Sequence, residues 1–279
     1  MYDTDAVASN IIEISTDYGG VSPLKLQKTL YILSGFYQSK NKEVLLNRSF
    51  DAWRHGPVIN GIYHDYKSHR YTNISNPVKD FKIITDIEDL IVDVLSSTRN
   101  VDATILSEMT HVEPPWLLKY GRPFTRINND LISNYFGLFD DMNEYLDSGH
   151  KRLDFREIGK KRKKYIENLS DLKDGWDGEN SIKPSAEVIK KFQELVTNLV
   201  FMTLSNNIKV LPVMVMGPIP RGGFSIEFRI DDDIFVVRRL NSGEYSLEVM
   251  QGNYYCDYKI DDCDPEKIFN DFMMGALQA

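Results

Sequence analysis

The sequence is nearly free of cysteine: Cys256 and Cys263 are the only two in 279 residues. A disulfide-stapled secreted scaffold is thereby excluded. The pair is expected to stay reduced in the cytoplasm, with a single disulfide between them as the alternative. Long apolar runs are also missing. The longest candidate, Leu195 to Leu204, is interrupted by Thr197 and Asn198 and falls short of the roughly 20 residues a membrane-spanning helix needs. The N-terminus carries Asp3, Asp5 and Glu13, against the basic-then-apolar order of a signal peptide. Basic charge is in deficit, with a net charge of −8 and a pI near 5.2. Such a surface repels nucleic acid except where basic residues cluster.

Catalytic and metal signatures are lacking as well. There is no G-x-S-x-G elbow, P-loop, H-E-x-x-H or C-x-x-C spacing, so the chain is expected not to be an enzyme and to need no cofactor or metal. His64 and His69 are five apart, and an i, i+5 pair diverges on a helix where i, i+4 ligands share a face. His55 beside Gly56-Pro57 reads as a hydrogen-bonded structural residue, and His111 as a C-terminal cap and dipole partner. The loop from Gly217 to Gly223 carries Arg221, but it feeds a strand, so it reads as a hairpin turn and not as a phosphate cradle.

Three regions can be read from periodicity. Residues 1–145 are mostly helical, 146–167 form a charged linker helix, and 168–279 hold a helix followed by alternating strands. The expected fold class is α+β, a mostly helical N-terminal domain followed by a C-terminal antiparallel β-meander packed with helices. Ser22-Pro23 gives an N-cap and a first helical residue. Leu26, Leu30, Leu33 and Tyr37 then form one apolar stripe, with Lys25 and Lys28 off it. Phe50 to Trp53 is a short strand or extended turn, and Gly56-Pro57 is expected to break the chain and start a helix with Val58, Ile62 and Tyr66 on one face. The linker holds Lys151, Arg152, Arg156 and Lys160 to Lys164, expected as a solvated helical face. Contact with an acidic partner face or nucleic acid is the alternative reading.

In the third region Val213 and Val215 alternate before Gly217-Pro218, and Phe224, Ile226 and Phe228 alternate after it. Asp231-Asp232-Asp233, Asn241-Ser242-Gly243 and Gln251-Gly252-Asn253 are the turns between strands. Strands joined so tightly are antiparallel, because parallel neighbours need long crossovers. Gly175-Trp176-Asp177-Gly178 reads as a tight turn with Trp176 as its apolar anchor and Asp177 setting its geometry.

Three ordered segments carry a resemblance. Pro23 to Tyr31, including Leu26, Gln27, Lys28 and Tyr31, looks like "LKLQKLLYY". Phe50 to Val58, including Trp53, Gly56 and Pro57, looks like "FEAWRYGPV", with Ile62 and Tyr63 following. Leu106-Ser107, Thr110-His111 and Pro115-Trp116 look like "LSxxTHxExPW". Together they resemble the Panacea (SocA-like) antitoxin domain over about residues 5–136, with His55 where the family has Tyr. The C-terminal half is only faintly similar to an uncharacterised α+β module of toxin–antitoxin and phage contexts.

The resemblance implies a cytoplasmic antitoxin of a bacterial or phage-borne toxin–antitoxin system, which neutralises a cognate toxin protein by direct binding. The alternative it implies is a proteolysis adaptor or phage-encoded host-interaction protein, which adds a protease or chaperone as partner. No catalytic residues come with the family, and neither membrane nor nucleic acid is expected as a partner. Trp53, Gly56, Pro57 and Trp116 suit a sharp bend and an aromatic core. Asp231, Asp232 and Asp233, with Asp261, Asp262 and Asp264, are the densest acidic segments and the candidate partner-binding residues, with solvated turns as the alternative.

Overall fold

The structure, a computed structural model, describes residues 1–79, 84–259 and 264–275. Asp261, Asp262 and Cys263 lie outside the described residues. The chain divides into two compact units, Met1–Leu153 and Asp154–Ala279. Among the described residues no helix is long and apolar enough to cross a membrane. Helical N-terminal elements and a five-stranded antiparallel C-terminal sheet with helices make the fold α+β, as the periodicity predicts.

The first unit is built around one helix. Helix α1 spans Thr4–Ser15 and α2 spans Pro23–Asn41. The hairpin β1 (Asp51–Trp53) and β2 (Gly56–Val58) follows. After it come α3 (Asn60–Tyr66), α4 (Glu88–Ser97), α5 (Ala103–Thr110), α6 (Pro114–Leu117) and α7 (Asn129–Phe136). Helix α8, Met142–Asn168, starts in this unit and ends in the second.

Ser22 caps α2 by accepting the Lys25 N–H at 3.3 Å, and Pro23 occupies its first turn. The expected single stripe proves too narrow. Every residue from Leu26 to Phe36 is buried, Lys28 included, while Tyr37 is only half-buried. The reason is that α1, α3, α4, α5, α7 and β2 all pack on α2, so the helix has no wet face. A helix surrounded on all sides must bury its polar residues too, and each then needs a partner. Gly35 is where α7 comes closest: a Cβ there would overlap the Phe136 ring. Phe136 itself lies edge-on to Tyr31 and Phe36, at centroid distances of 5.4 and 5.3 Å.

Gly56-Pro57 does not start a helix, contrary to the sequence reading. Gly56 has φ 94° and pairs with Trp53 across the Arg54-His55 turn, so Gly56–Val58 returns as a strand antiparallel to β1. Helix α3 begins only at Asn60. A left-handed glycine closing a short turn reverses the chain, and Pro57 fits an edge strand because it has no N–H to leave unpaired. Pro114-Pro115 opens α6, where proline suits the first turn.

In the second unit Ser185 caps α9 (Ala186–Ser205), accepting the Val188 N–H at 3.3 Å. Strands β3 (Val213–Pro218), β4 (Gly223–Ile230), β5 (Asp233–Leu240), β6 (Tyr245–Gln251) and β7 (Tyr254–Lys259) pair in chain order, all antiparallel. Helix α9 and α10 (Pro265–Met273) cover one face. Phe192 meets Phe224 at 5.1 Å, and Phe269 meets Phe228 and Phe235 at 4.8 and 4.9 Å. In β3 the alternation is opposite to its valines. The register sets Met214 against Phe228 and Met216 against Ile226 on the covered face, so Val213 and Val215 project outward.

Gly35→Ala should destabilise the first unit by about 1–3 kcal/mol, the usual cost of overpacking a filled core. Chemical unfolding with a fluorescence readout of that unit measures it; a variant as stable as wild type would mean that α2 and α7 can separate freely.

Candidate functional site

The motif residues meet around α2 and hold the hairpin by its backbone. The Gln27 side-chain oxygen accepts the Ile59 N–H at 2.9 Å, and its Nε2 donates to the Ile59 carbonyl at 3.2 Å. The side chain thus serves Ile59 as a neighbouring strand would. Lys28 Nζ donates to the Pro57 carbonyl at 3.1 Å, Ser107 Oγ to that of His55 at 2.9 Å, and Trp116 Nε1 to that of Trp53 at 2.8 Å. Four side chains from α2, α5 and α6 therefore serve four successive stretches of hairpin backbone. Gly56 is required twice over, for its φ and because a Cβ would collide with Lys28 Nζ and Thr110 Oγ1.

Glu113, on the turn into α6, is fully buried. Tyr31 donates to its Oε2 at 2.9 Å and Tyr145, from α8, to its Oε1 at 2.8 Å. Arg152, two turns further along α8, donates to the Val112 carbonyl at 3.3 Å and lies 5.3 Å over the Tyr135 ring. The expectation of a solvated Arg152 is thus overturned: it is fully buried. Seven residues separate it from Tyr145, two turns of helix, which puts both on the face that packs inward.

Desolvation dominates the electrostatics here. Burial pushes the Glu113 carboxyl up to about 7 from an ordinary 4.5, against the pull of the Tyr145 and Tyr31 hydrogen bonds and the Arg152 and Lys28 charges. Burial likewise brings the Lys28 ammonium down to about 7 from 10.5, against the nearby Glu113. The Tyr31, Tyr135 and Tyr145 phenols are all raised by the same burial. Tyr31 and Tyr145, which keep their protons, are dependable donors to the carboxyl.

The outward face of this region is aromatic. Trp116 stacks on Tyr120 at 4.2 Å and lies 4.4 Å from His111, the C-cap of α5. His111 Nδ1 also sits 3.7 Å from Glu108. Trp53, joined to Trp116 through its carbonyl, meets Tyr63 edge-on at 5.1 Å, and Tyr63 meets His64 at 5.4 Å. Residues 124–127 run beside β1, with Asp51 opposite Arg126, which sets Phe124 level with Trp53. Phe124 is 84% exposed, Tyr120 43% and Tyr63 39%. Arg54, Arg122 and Arg126, all exposed, flank the strip. Trp53, expected in the aromatic core, is only half-buried, because the hairpin turn carries it to the rim.

Leu26, Gln27, Lys28, Tyr31, Trp53, Gly56, Pro57, Tyr63, His111, Pro115 and Trp116 thus gather in one region of the first unit. Trp176 and Asp177 belong to the second, in a turn where Gly178 N–H reaches the Gly175 carbonyl and the Asp177 carboxylate accepts the Glu179 N–H at 2.9 Å. That bond holds the Asp177 carboxyl below its usual range. Asp231 and Asp232 are exposed at the β4–β5 turn, while Asp233 accepts the Gly252 N–H at 2.8 Å. Asp264 caps α10 by accepting the Glu266 N–H at 3.0 Å. Sequence reasoning missed Glu113, Tyr145 and Arg152. The available signal for Glu113 was the E of "LSxxTHxExPW", which here is the one charge in Val112-Glu113-Pro114-Pro115-Trp116.

These titrations predict opposite pH slopes. A carboxyl raised on folding stabilises the fold most when protonated, and that contribution is lost as pH rises from about 4.5 to about 7. An amine lowered on folding does the reverse, so stability rises from about pH 7 to 10.5. Glu113→Gln should remove a decline of order 3 kcal/mol across the first window, at about 1.4 kcal/mol per pKa unit. Lys28→Met should flatten the rise across the second. Urea unfolding across pH reads both, and a wild-type slope retained in Glu113→Gln would contradict the assignment.

Residues 26–117 match the family model described as antitoxin SocA-like, Panacea domain. No curated protein and no solved structure matches the chain. The matched segment runs from the buried part of α2 to the end of α6, so it contains the whole hairpin clamp and Glu113, whereas Tyr145 and Arg152 lie beyond it. Residues 26–117 of this chain are thus similar to the Panacea domain of antitoxin SocA-like proteins.

Proposed function

We propose that the chain is a cytoplasmic antitoxin that neutralises a partner toxin by direct binding, and that it acts through binding and not catalysis. The Panacea match supports an antitoxin role. The observation that carries the binding surface is the exposed strip of Tyr63, Trp53, Tyr120 and Phe124, flanked by Arg54, Arg122 and Arg126. Aromatic residues and arginine are the side chains in which binding energy concentrates at protein interfaces. The buried lattice beneath the strip supports this reading too, since a surface held by side-chain bonds to its backbone loses little entropy on binding. Asp231 and Asp232 would add an acidic point able to steer a basic partner surface, an effect on association rate more than on affinity.

Affinity capture with the full chain, followed by expression of each captured protein alone, should yield one that arrests growth and is tolerated when the chain is present. Arg122→Ala combined with Phe124→Ala should weaken that complex at least tenfold, about 1.4 kcal/mol, and leave the melting temperature unchanged because both side chains are exposed. Full protection by this double variant, at wild-type melting, would remove the strip from the mechanism. Charge reversal at Asp231 and Asp232 should slow association and weaken its salt dependence, with little change in dissociation. An unaltered association rate would leave these aspartates as solvated turn residues.

A further inference from the structure

Strand β3 stands at the edge of the sheet, paired to β4 alone. From Leu211 to Pro220 the sequence is Leu-Pro-Val-Met-Val-Met-Gly-Pro-Ile-Pro, ten residues with no charged side chain and no side-chain hydrogen-bonding group other than thioethers. Natural sheets shield their edges with charge, bulges or covering elements, because unpaired backbone groups there are a template for another strand. The opposite edge follows that rule, since β7 carries Asp257. In β3, Val213 is 64% exposed and Val215 46%.

The backbone directions follow from the hairpin. Ile219 N–H bonds to the Gly223 carbonyl, so Ile219 faces β4. By alternation Val213, Val215 and Gly217 face β4 as well, while Met214 and Met216 direct their N–H and C=O groups outward. Among the described residues no hydrogen bond reaches those outward groups. Pro212 and Pro218, which also fall on the outward parity, have no N–H to offer, so the donors of this edge are confined to a five-residue window centred on Val215.

We propose that β3 pairs antiparallel with β3 of a second copy of this chain about a two-fold axis through Val215. Met214 of each copy then exchanges both backbone bonds with Met216 of the other. All four outward N–H groups are used, Pro212 meets Pro218 where neither could donate, and the two sheets join into one of ten strands. Side-chain parity agrees: opposite residues share a face, so the methionines stay on the helix-covered side and the valines on the other. Spacing selects a second copy, because Pro212 and Pro218 stand three residues to either side of Val215 and make the strand complementary to itself about that residue. Two molecules of net charge −8 repel one another over most of their surface, and this uncharged strand is a place where they can meet at least cost. The pairing does not rest on toxin binding.

Light scattering coupled to size exclusion should give twice the 32.2 kDa of one chain. Val215→Lys sets like charges against each other on the axis and should return the mass to one chain at unchanged melting, whereas Val215→Thr should stay dimeric. On the axis the two Val215 Cα atoms form a non-hydrogen-bonded pair about 4.5 Å apart, within disulfide reach. Val215→Cys should therefore cross-link under mild oxidation, and Val213→Cys, which faces Gly217 of the other copy, should not. A single-chain mass for wild type at about 100 µM, or an undiminished dimer in Val215→Lys, would overturn the proposal. Cross-linking through Val213→Cys instead would overturn the register.

Discussion

One buried carboxyl sets the terms for the first unit. Glu113 is fully buried, and its two oxygens are served by Tyr31 and Tyr145, residues 82 and 32 positions away in the chain. Leaving such a group without its donors costs about 1–3 kcal/mol for each lost partner, so α2, the turn into α6 and the first turns of α8 are held in one arrangement. The same turn offers the Val112 carbonyl to Arg152 and starts α6, whose Trp116 reaches the hairpin at Trp53. Three polar residues on α2 follow the same logic, Gln27, Lys28 and Tyr31 each finding a backbone or carboxyl partner, whereas the Thr29 and Ser34 hydroxyls are buried without one. Their identity within the motif is thus a matter of backbone satisfaction, and the polar lattice specifies the placement of the hairpin more narrowly than apolar packing could.

This arrangement separates the residues that carry the family likeness from those that can touch a partner. Gln27, Lys28, Tyr31, Gly56 and Glu113 are hidden, whereas Tyr63, Tyr120 and Phe124 are on the surface. The strip owes its shape to the hidden set: Trp53 is fixed by Trp116, and the chain at Phe124 is fixed by the ladder beside β1. On the proposed reading, a substitution in the lattice should abolish binding through loss of shape, whereas one in the strip should act on contact alone.

The sequence is legible where local physics decides. Ser22-Pro23 starts α2 and Ser185 caps α9 as their side chains dictate, and the alternation of Phe224, Ile226 and Phe228 marks a strand with one covered face. Tertiary surroundings hid the rest. Lys28 looks solvent-facing by period, yet it is buried because six elements surround α2. Gly56-Pro57 looks like a helix start until Gln27 and Lys28 are there to take the backbone groups of Pro57 and Ile59. Arg152 sits in a strongly basic run and resembles its exposed neighbours in everything but its position on the inward face of α8. In β3 both alternate sets are apolar, so composition could not say which would face the helices, and the register with β4 decided for the methionines.

The lattice on α2 should be the least yielding part of the first unit, with Glu113 holding it. Native-state hydrogen exchange tests this directly, because each amide reports the free energy of the opening that exposes it. Amides of Leu26 to Phe36 should exchange only through global unfolding of the unit and be its slowest. In Glu113→Ala their protection should fall together with that of Tyr145 to Arg152 on α8. Exchange at Leu26 to Phe36 as fast as in the more exposed α4, or protection of α8 that survives Glu113→Ala, would contradict the account.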